Sequence, residues 1–216
     1  MEGMNDKQKP SLLKMFWRPK EQFVKIRSNP IIATPLIIVT VIYIMASMVK
    51  ALFIRAENLM LPGMSVQEAD MVAATAKAFT AMSGFISPVF TILLTTIIYF
   101  IILKIARKNT TFKQLFSMNT YIFVVQAVGL LINSLLMMVI DSSSGSAITS
   151  LALFNRDWSM LNALELFTIW KFVLTAIGIH LVGQLSKSTS IILVIVLFIL
   201  QSGTTLLGIG ALSLWS

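Results

Sequence analysis

Five stretches, each long enough to cross a bilayer and almost free of charge, take up most of this 216-residue chain. Ser28–Val49, Ala78–Leu103, Gln114–Ile140 and Ser188–Ser216 contain no Asp, Glu, Lys or Arg, and Leu166–Ser186 contains one such residue, Lys171. Crossing about 30 Å of hydrocarbon at about 1.5 Å per residue takes roughly 20 apolar residues. Lipid offers no partner to a bare peptide group, so each stretch must be helical. The expected fold is an all-α polytopic membrane bundle of five transmembrane helices, with spans at about 31–54, 80–105, 114–140, 162–186 and 189–214. Residues 1–30 would form a cytoplasmic tail and interfacial helix, and residues 31–216 the five-span domain. With 12% charged residues and a mean hydropathy of +0.85, neither a disordered chain nor an ordinary soluble domain fits.

The net charge of +8 has to be read by position. Lys7, Lys9, Lys14, Arg18, Lys20, Lys25 and Arg27 precede the first span; Lys104, Arg107, Lys108 and Lys113 follow the second; Lys187 lies between the fourth and fifth. The opposite connections hold Lys50, Arg55, Lys77 and Arg156 together with most of the acids. Basic loops stay in the cytoplasm, which puts the N-terminus inside and the C-terminus outside. This arrangement reads as membrane orientation and argues against nucleic acid as a partner. The thirty mostly polar residues before the first apolar run predict a retained signal anchor with no cleavable leader.

Ahead of that run, Leu12, Leu13, Met15, Phe16 and Trp17 form an apolar cluster, and Phe23, Val24 and Ile26 then alternate with Lys20, Lys25 and Arg27. This pattern predicts an amphipathic helix in the inner headgroup layer, entered at Pro19 and broken at Asn29-Pro30. Phe16, Trp17, Arg18, Lys20 and Phe23 are the candidate partner-docking or membrane-docking residues. Pro62-Gly63 marks a turn. Ser65 with Glu68 and Thr111 with Gln114 fit capping boxes. The first predicts a short extracytoplasmic helix from Val66 ahead of the second span, one that could run on towards it. The second starts helix three. Pro88 should bend the second span, and Trp158 and Trp215 suit the outer interface.

Few residues could carry chemistry. There is no Cys, so thiolate metal sites and cysteine nucleophiles are excluded. Lys171 is costly inside a span, so it snorkels to the outer headgroups, pairs with Asp141, Asp157 or Glu165, or lines a path. Glu165 lies six residues away, which places an intrahelical pair poorly. His180 is the only histidine, half a turn round from Lys171, and no metalloprotease motif accompanies it. The Gly-flanked Ser144 and Ser146 lie in an outer loop, far from His180 at the inner end. Gln126, Asn133, Ser134 and Gln201 fall within spans and are expected to hydrogen-bond between helices. These residues call for no cofactor and no metal, and the chain reads as non-enzymatic.

Three segments carry a resemblance. They are Phe16-Trp17-Arg18-Pro19-Lys20-Glu21-Gln22-Phe23 followed by Ile26-Arg27-Ser28-Asn29-Pro30, then Thr111-Phe112-Lys113-Gln114-Leu115, and Leu164-Glu165-Leu166-Phe167-Thr168-Ile169-Trp170 with Gly178 beyond. The chain resembles bacterial members of the Yip domain family over nearly its whole length. Among them it looks most like a type that accompanies a MacB-like ABC exporter and its adaptor. The resemblance implies a non-enzymatic accessory protein in the lipid bilayer that helps assemble a transporter from its permease and adaptor and takes part in peptide-toxin resistance. The alternative from the residues themselves is a small transporter or channel, with Lys171 and the buried amides lining a path.

Overall fold

A computed structural model describes residues 9–140, Thr149 and residues 165–213. Among these the chain is helical throughout. The helices are α1 (Pro19–Ser28), α2 (Ala33–Leu52), α3 (Val66–Ile105), α4 (Phe112–Ile140), α5 (Leu166–Leu181) and α6 (Lys187–Ser213), with short 3₁₀ turns at Leu13–Met15 and Ala56–Leu59. Helices α2, α3 and α4 are long and apolar enough to cross a membrane; α5 and the Lys187–Gly203 part of α6 are shorter apolar stretches. Leucines, isoleucines and phenylalanines such as Phe79, Phe90, Ile192 and Ile199 face outward. A surface of this kind belongs in lipid.

Helix α4 is the centre. It packs against α1, α2, α3 and α5, and no residue from Gln114 through Leu131 is exposed. The main core joins Leu115, Met118, Tyr121, Ile122 and Val125 of α4 to Leu174 and Ile179 of α5 and Leu103 of α3. A second cluster joins Val39 of α2 and Ile92 of α3 to Phe123, Val124 and Ala127 of α4.

Local chemistry sets the ends of these helices. Leu61, Pro62, Gly63 and Met64 form a type II turn: the Met64 amide donates to the Leu61 carbonyl at 3.0 Å, and Gly63 takes φ +86°. Both capping boxes form. The Glu68 amide donates to Ser65 Oγ at 3.3 Å while Glu68 Oε2 accepts from the Ser65 amide at 2.8 Å. The Gln114 amide donates to Thr111 Oγ1 at 3.2 Å, and Gln114 Oε1 accepts from the Thr111 amide at 2.9 Å. The Ser65 amide and hydroxyl hold the Glu68 carboxyl below its usual range. A lowered carboxyl pKa stabilises the fold above the unfolded value, and that contribution is lost as the pH falls through the folded one.

At two helix ends the left-handed position falls on a residue other than glycine. Arg107 follows α3 with φ 56°, and a Schellman pair closes the end: the Lys108 amide donates to the Leu103 carbonyl at 2.9 Å and the Arg107 amide to that of Lys104 at 3.0 Å. Gln184 takes φ 61° after α5. Left-handed backbone costs about 1–2 kcal/mol in a residue with a Cβ, a cost that local helix-end hydrogen bonds and tertiary contacts offset. At this end of the bundle Thr110 Oγ1 donates to the Val182 carbonyl at 3.1 Å, and Gln114 Nε2 donates to the Arg27 carbonyl at 2.7 Å.

Two expectations change. The helix begun at Val66 is no separate short element: it continues without a break through Lys77 into the second apolar stretch, as one 40-residue helix. The alanines at 69, 73, 74, 76, 78 and 81 favour helix, and no Pro or Gly interrupts them. The helix also runs through Pro88, which is buried. At 1.5 Å per residue it is about 60 Å long, twice the hydrocarbon thickness. The second change concerns the amphipathic face of α1. Phe23 and Ile26 are fully buried against α4 and α5, and Met15 joins the same core. That face packs on protein and is withdrawn from the headgroup layer. The loop 141–146, Asp157, Trp158 and Trp215 lie outside the described residues, as do residues 162–164 at the start of the fourth expected span.

At Gly84 one helix meets the backbone of another: an added Cβ would lie 2.9 Å from the Ile44 Cα in α2. A backbone atom cannot step aside as a side chain can. Gly84→Ala should therefore push α2 from α3 and destabilise the protein by about 1–3 kcal/mol. Gly203→Ala, with nothing within 4 Å, should be neutral or stabilising by up to about 1 kcal/mol. Unfolding in graded detergent mixtures measures both.

Candidate functional site

The polar side chains of the bundle gather in three places. The first is the N-terminal segment. Its backbone is tied down from inside: Tyr121 OH donates to the Pro10 carbonyl at 3.1 Å, and Gln22 Oε1 accepts from the Ser11 amide at 2.8 Å. The segment then sorts its side chains. Phe23 is enclosed and its ring approaches Gly178, so this candidate docking residue faces neither lipid nor partner. Phe16 is half-buried against the core. Leu13, Trp17 and Val24 point outward, 70%, 63% and 58% exposed. Arg18 and Lys20 are exposed beside them, and Arg18 makes a surface pair with Glu21 at 3.8 Å. The result is an apolar and basic ridge on a fixed base.

The second place is a cavity of about 450 Å³ inside the bundle. Lys171 of α5 and Gln126 of α4 line it together with Gln201, Asn119, Thr91 and Thr95. Lys171 Nζ donates to Gln201 Oε1 at 3.2 Å and lies 4.8 Å from the centre of the Phe172 ring. Gln126 Oε1 is shut off without a hydrogen-bond donor among the described residues. Asn119 Nδ2 donates to Thr96 Oγ1 at 2.9 Å, joining α4 to α3. No carboxylate lines this cavity among the described residues. The lysine thus faces amides, hydroxyls and an aromatic ring.

The third place is a network around Asn133. Asn133 Nδ2 donates to Thr149 Oγ1 at 2.9 Å and to Glu165 Oε1 at 3.3 Å, and the Thr149 amide donates to Asn133 Oδ1 at 2.9 Å. Thr149 Oγ1 donates to Glu165 Oε1 at 2.7 Å, while Glu165 Oε2 caps α5 by accepting from the Thr168 amide at 2.6 Å. Sequence reasoning weighed Glu165 as a partner for Lys171 and missed this role. The sequence carried no signal for it, because the cap uses a backbone amide that almost any residue supplies and Glu is outside the usual cap residues. Of the four intramembrane candidates, Lys171 and Gln126 share the cavity and Asn133 belongs to this network. His180 stands apart: its Nδ1 meets the Leu185 carbonyl at 2.8 Å and its ring lines a separate groove between α5 and α6.

These geometries predict opposite responses in two polar positions. Lys171→Met removes a half-buried cation without stranding a carboxylate at hydrogen-bond distance, so stability should change by less than about 1 kcal/mol. Asn133→Leu leaves Thr149 and Glu165 short of a donor and should cost about 1–3 kcal/mol. Denaturant titration of the two variants checks the contrast.

Comparison with known proteins agrees with this architecture. The family model described as the Yip1 domain matches residues 13–209, a range that takes in the N-terminal helices. The chain is 32% identical over 200 residues to the membrane protein YknW of Bacillus subtilis (strain 168), covering 88% of this chain and 86% of that one. No solved structure gives a significant match.

Proposed function

Because the chain belongs to the Yip1 domain family of membrane proteins, we propose that it is a non-enzymatic accessory protein that binds and helps assemble a membrane transporter. An ABC-type exporter with its permease and adaptor is the partner proposed, in a role linked to peptide-toxin resistance. The observation that carries this reading is the ridge of Leu13, Trp17, Arg18, Lys20 and Val24. Burial of Met15, Gln22, Phe23 and Ile26 fixes its backbone. A partner meeting this ridge therefore orders little further chain, which lowers the entropy cost of association. Exposed tryptophan and arginine are also the residue types that dominate binding energy at interfaces.

The proposal includes five membrane spans, a cytoplasmic N-terminus and an extracytoplasmic C-terminus. Basic residues at the turn after α3, in α1 and at the start of α6 support that orientation. The chain has no cysteine, so single cysteines report cleanly. Lys108→Cys should react only with reagents that enter the cell, and Leu61→Cys with impermeant ones. The reverse pattern would invert the topology.

For partner binding, Leu13→Ser/Trp17→Ala is the informative variant, since both side chains are exposed and the core beneath them is untouched. Recovery of transporter subunits on purification from native membranes should fall at least tenfold, with insertion and thermal stability unchanged. Undiminished recovery would leave the ridge without a role in assembly.

A second reading rests on the cavity. A small transporter or channel would use Lys171 and Gln126, with Gln201, to line a path. It predicts ion or solute flux from the purified protein in liposomes, abolished by Lys171→Met with the fold intact. The accessory reading predicts no such flux.

A further inference from the structure

An apolar groove of about 760 Å³ runs between α5 and α6 on the outside of the bundle. Val173 and Ile177 of α5 and Ile191 and Ile195 of α6 form its walls, and Phe172 and Phe198 meet edge to face across it at 5.1 Å. One end is different in kind. There Lys20 of α1, Lys187 at the start of α6 and the ring of His180 line the groove, and among the described residues no carboxylate does. Lys20 reaches this place because α1 packs on α5. Both lysines are exposed.

We propose that this groove binds an anionic phospholipid, with one acyl chain between α5 and α6 and the phosphate between Lys20 and Lys187. The dimensions fit one leaflet. Ile169 to Leu181 spans about 18 Å of α5, and Lys187 to Phe198 about 16 Å of α6. Half of a hydrocarbon core of about 30 Å is close to both. The lysines stand where a headgroup would be when the chain fills the groove. A helix from another protein would satisfy the apolar walls equally well, but it would leave two unneutralised cations at one end. An anionic headgroup answers both parts, and basic pockets between membrane helices favour such lipids. His180 Nδ1 meets the Leu185 carbonyl at 2.8 Å, which holds the ring at the rim. This inference stands apart from the accessory reading and holds whichever function the protein has.

The test is native mass spectrometry of the full chain, exchanged into mixed micelles with equal dioleoyl-phosphatidylglycerol and dioleoyl-phosphatidylcholine. One lysine at a membrane surface gives about fivefold preference for an anionic lipid, so the pair should give roughly 25-fold. Lys20→Gln/Lys187→Gln should bring the two lipids to near-equal retention. Lys108→Gln/Lys113→Gln, which removes the same charge from the turn after α3 and the first turn of α4, should keep the preference. Val173→Trp, at an exposed wall position, should reduce retention of both lipids by blocking the chain. Three outcomes would overturn the proposal: preference surviving in the Lys20/Lys187 variant, equal loss in the control variant, or no lipid retained by the unaltered protein. Undiminished retention in the Val173→Trp variant would remove the acyl chain from the groove and overturn it as well.

Discussion

Enclosure of α4 is the constraint on which the other helices depend. From Gln114 through Leu131 it has no exposed side chain, although a helix in lipid has no hydrophobic reason to hide apolar surface from its solvent. What must be hidden is polarity. Ser117, Asn119, Thr120, Asn133 and Ser134 are all buried on α4, and each hydroxyl or amide is answered. Ser117 donates to the Ile31 carbonyl at 2.7 Å and Asn119 to Thr96, while Thr120 and Ser134 donate to carbonyls one turn back. The helices around α4 shield these groups from hydrocarbon and supply acceptors that lipid lacks. Close contact does the rest, as where Gly178 of α5 sits under Met118 and Phe23.

The same logic explains the N-terminal segment. A soluble amphipathic helix next to a membrane would lay its apolar face in the headgroups. Here the bundle provides a better partner: a pocket between α4 and α5 that accepts Met15, Phe23 and Ile26 with no remaining exposure. Once those residues are committed, the opposite side of the segment is fixed in space. Trp17 and Lys20 then become a surface feature of the protein in place of a mobile tail. The segment is thereby a structural part of the bundle, and its outer side is the surface on which the proposed partner binding rests.

Two cavities follow from how α6 is placed. It packs on α5. On one side this leaves the apolar groove with its lysine end, and on the other the polar cavity around Lys171. Lys171 and His180 sit on the same helix and serve different surroundings, because nine residues turn the helix by half a revolution. A lysine facing Gln201 and an aromatic ring is tolerable in the membrane, since the amide oxygen and the ring face both favour the cation.

Much of this was legible in order. Charge-free stretches, two capping boxes and a Pro-Gly turn are local facts, and local physics decides them: length against hydrocarbon thickness, and orphan amides against nearby side-chain oxygens. The helical class, the membrane and the starts of α3 and α4 follow from sequence alone. Three things did not. The left-handed turns at Arg107 and Gln184 bear side chains that give no hint of that backbone, and local helix-end hydrogen bonds together with the contact of Thr110 with Val182 hold them. The length of α3 was underestimated because a charge at Lys77 ends an apolar stretch without ending a helix. Above all, periodicity shows that α1 has an apolar face but not what that face meets. Amphipathic pattern records a preference for leaving water, and lipid and protein satisfy it alike. Which one does so at Phe23, and which polar residues share a cavity with Lys171, depends on the packing of helices far apart in the chain, and the tertiary structure alone decides it.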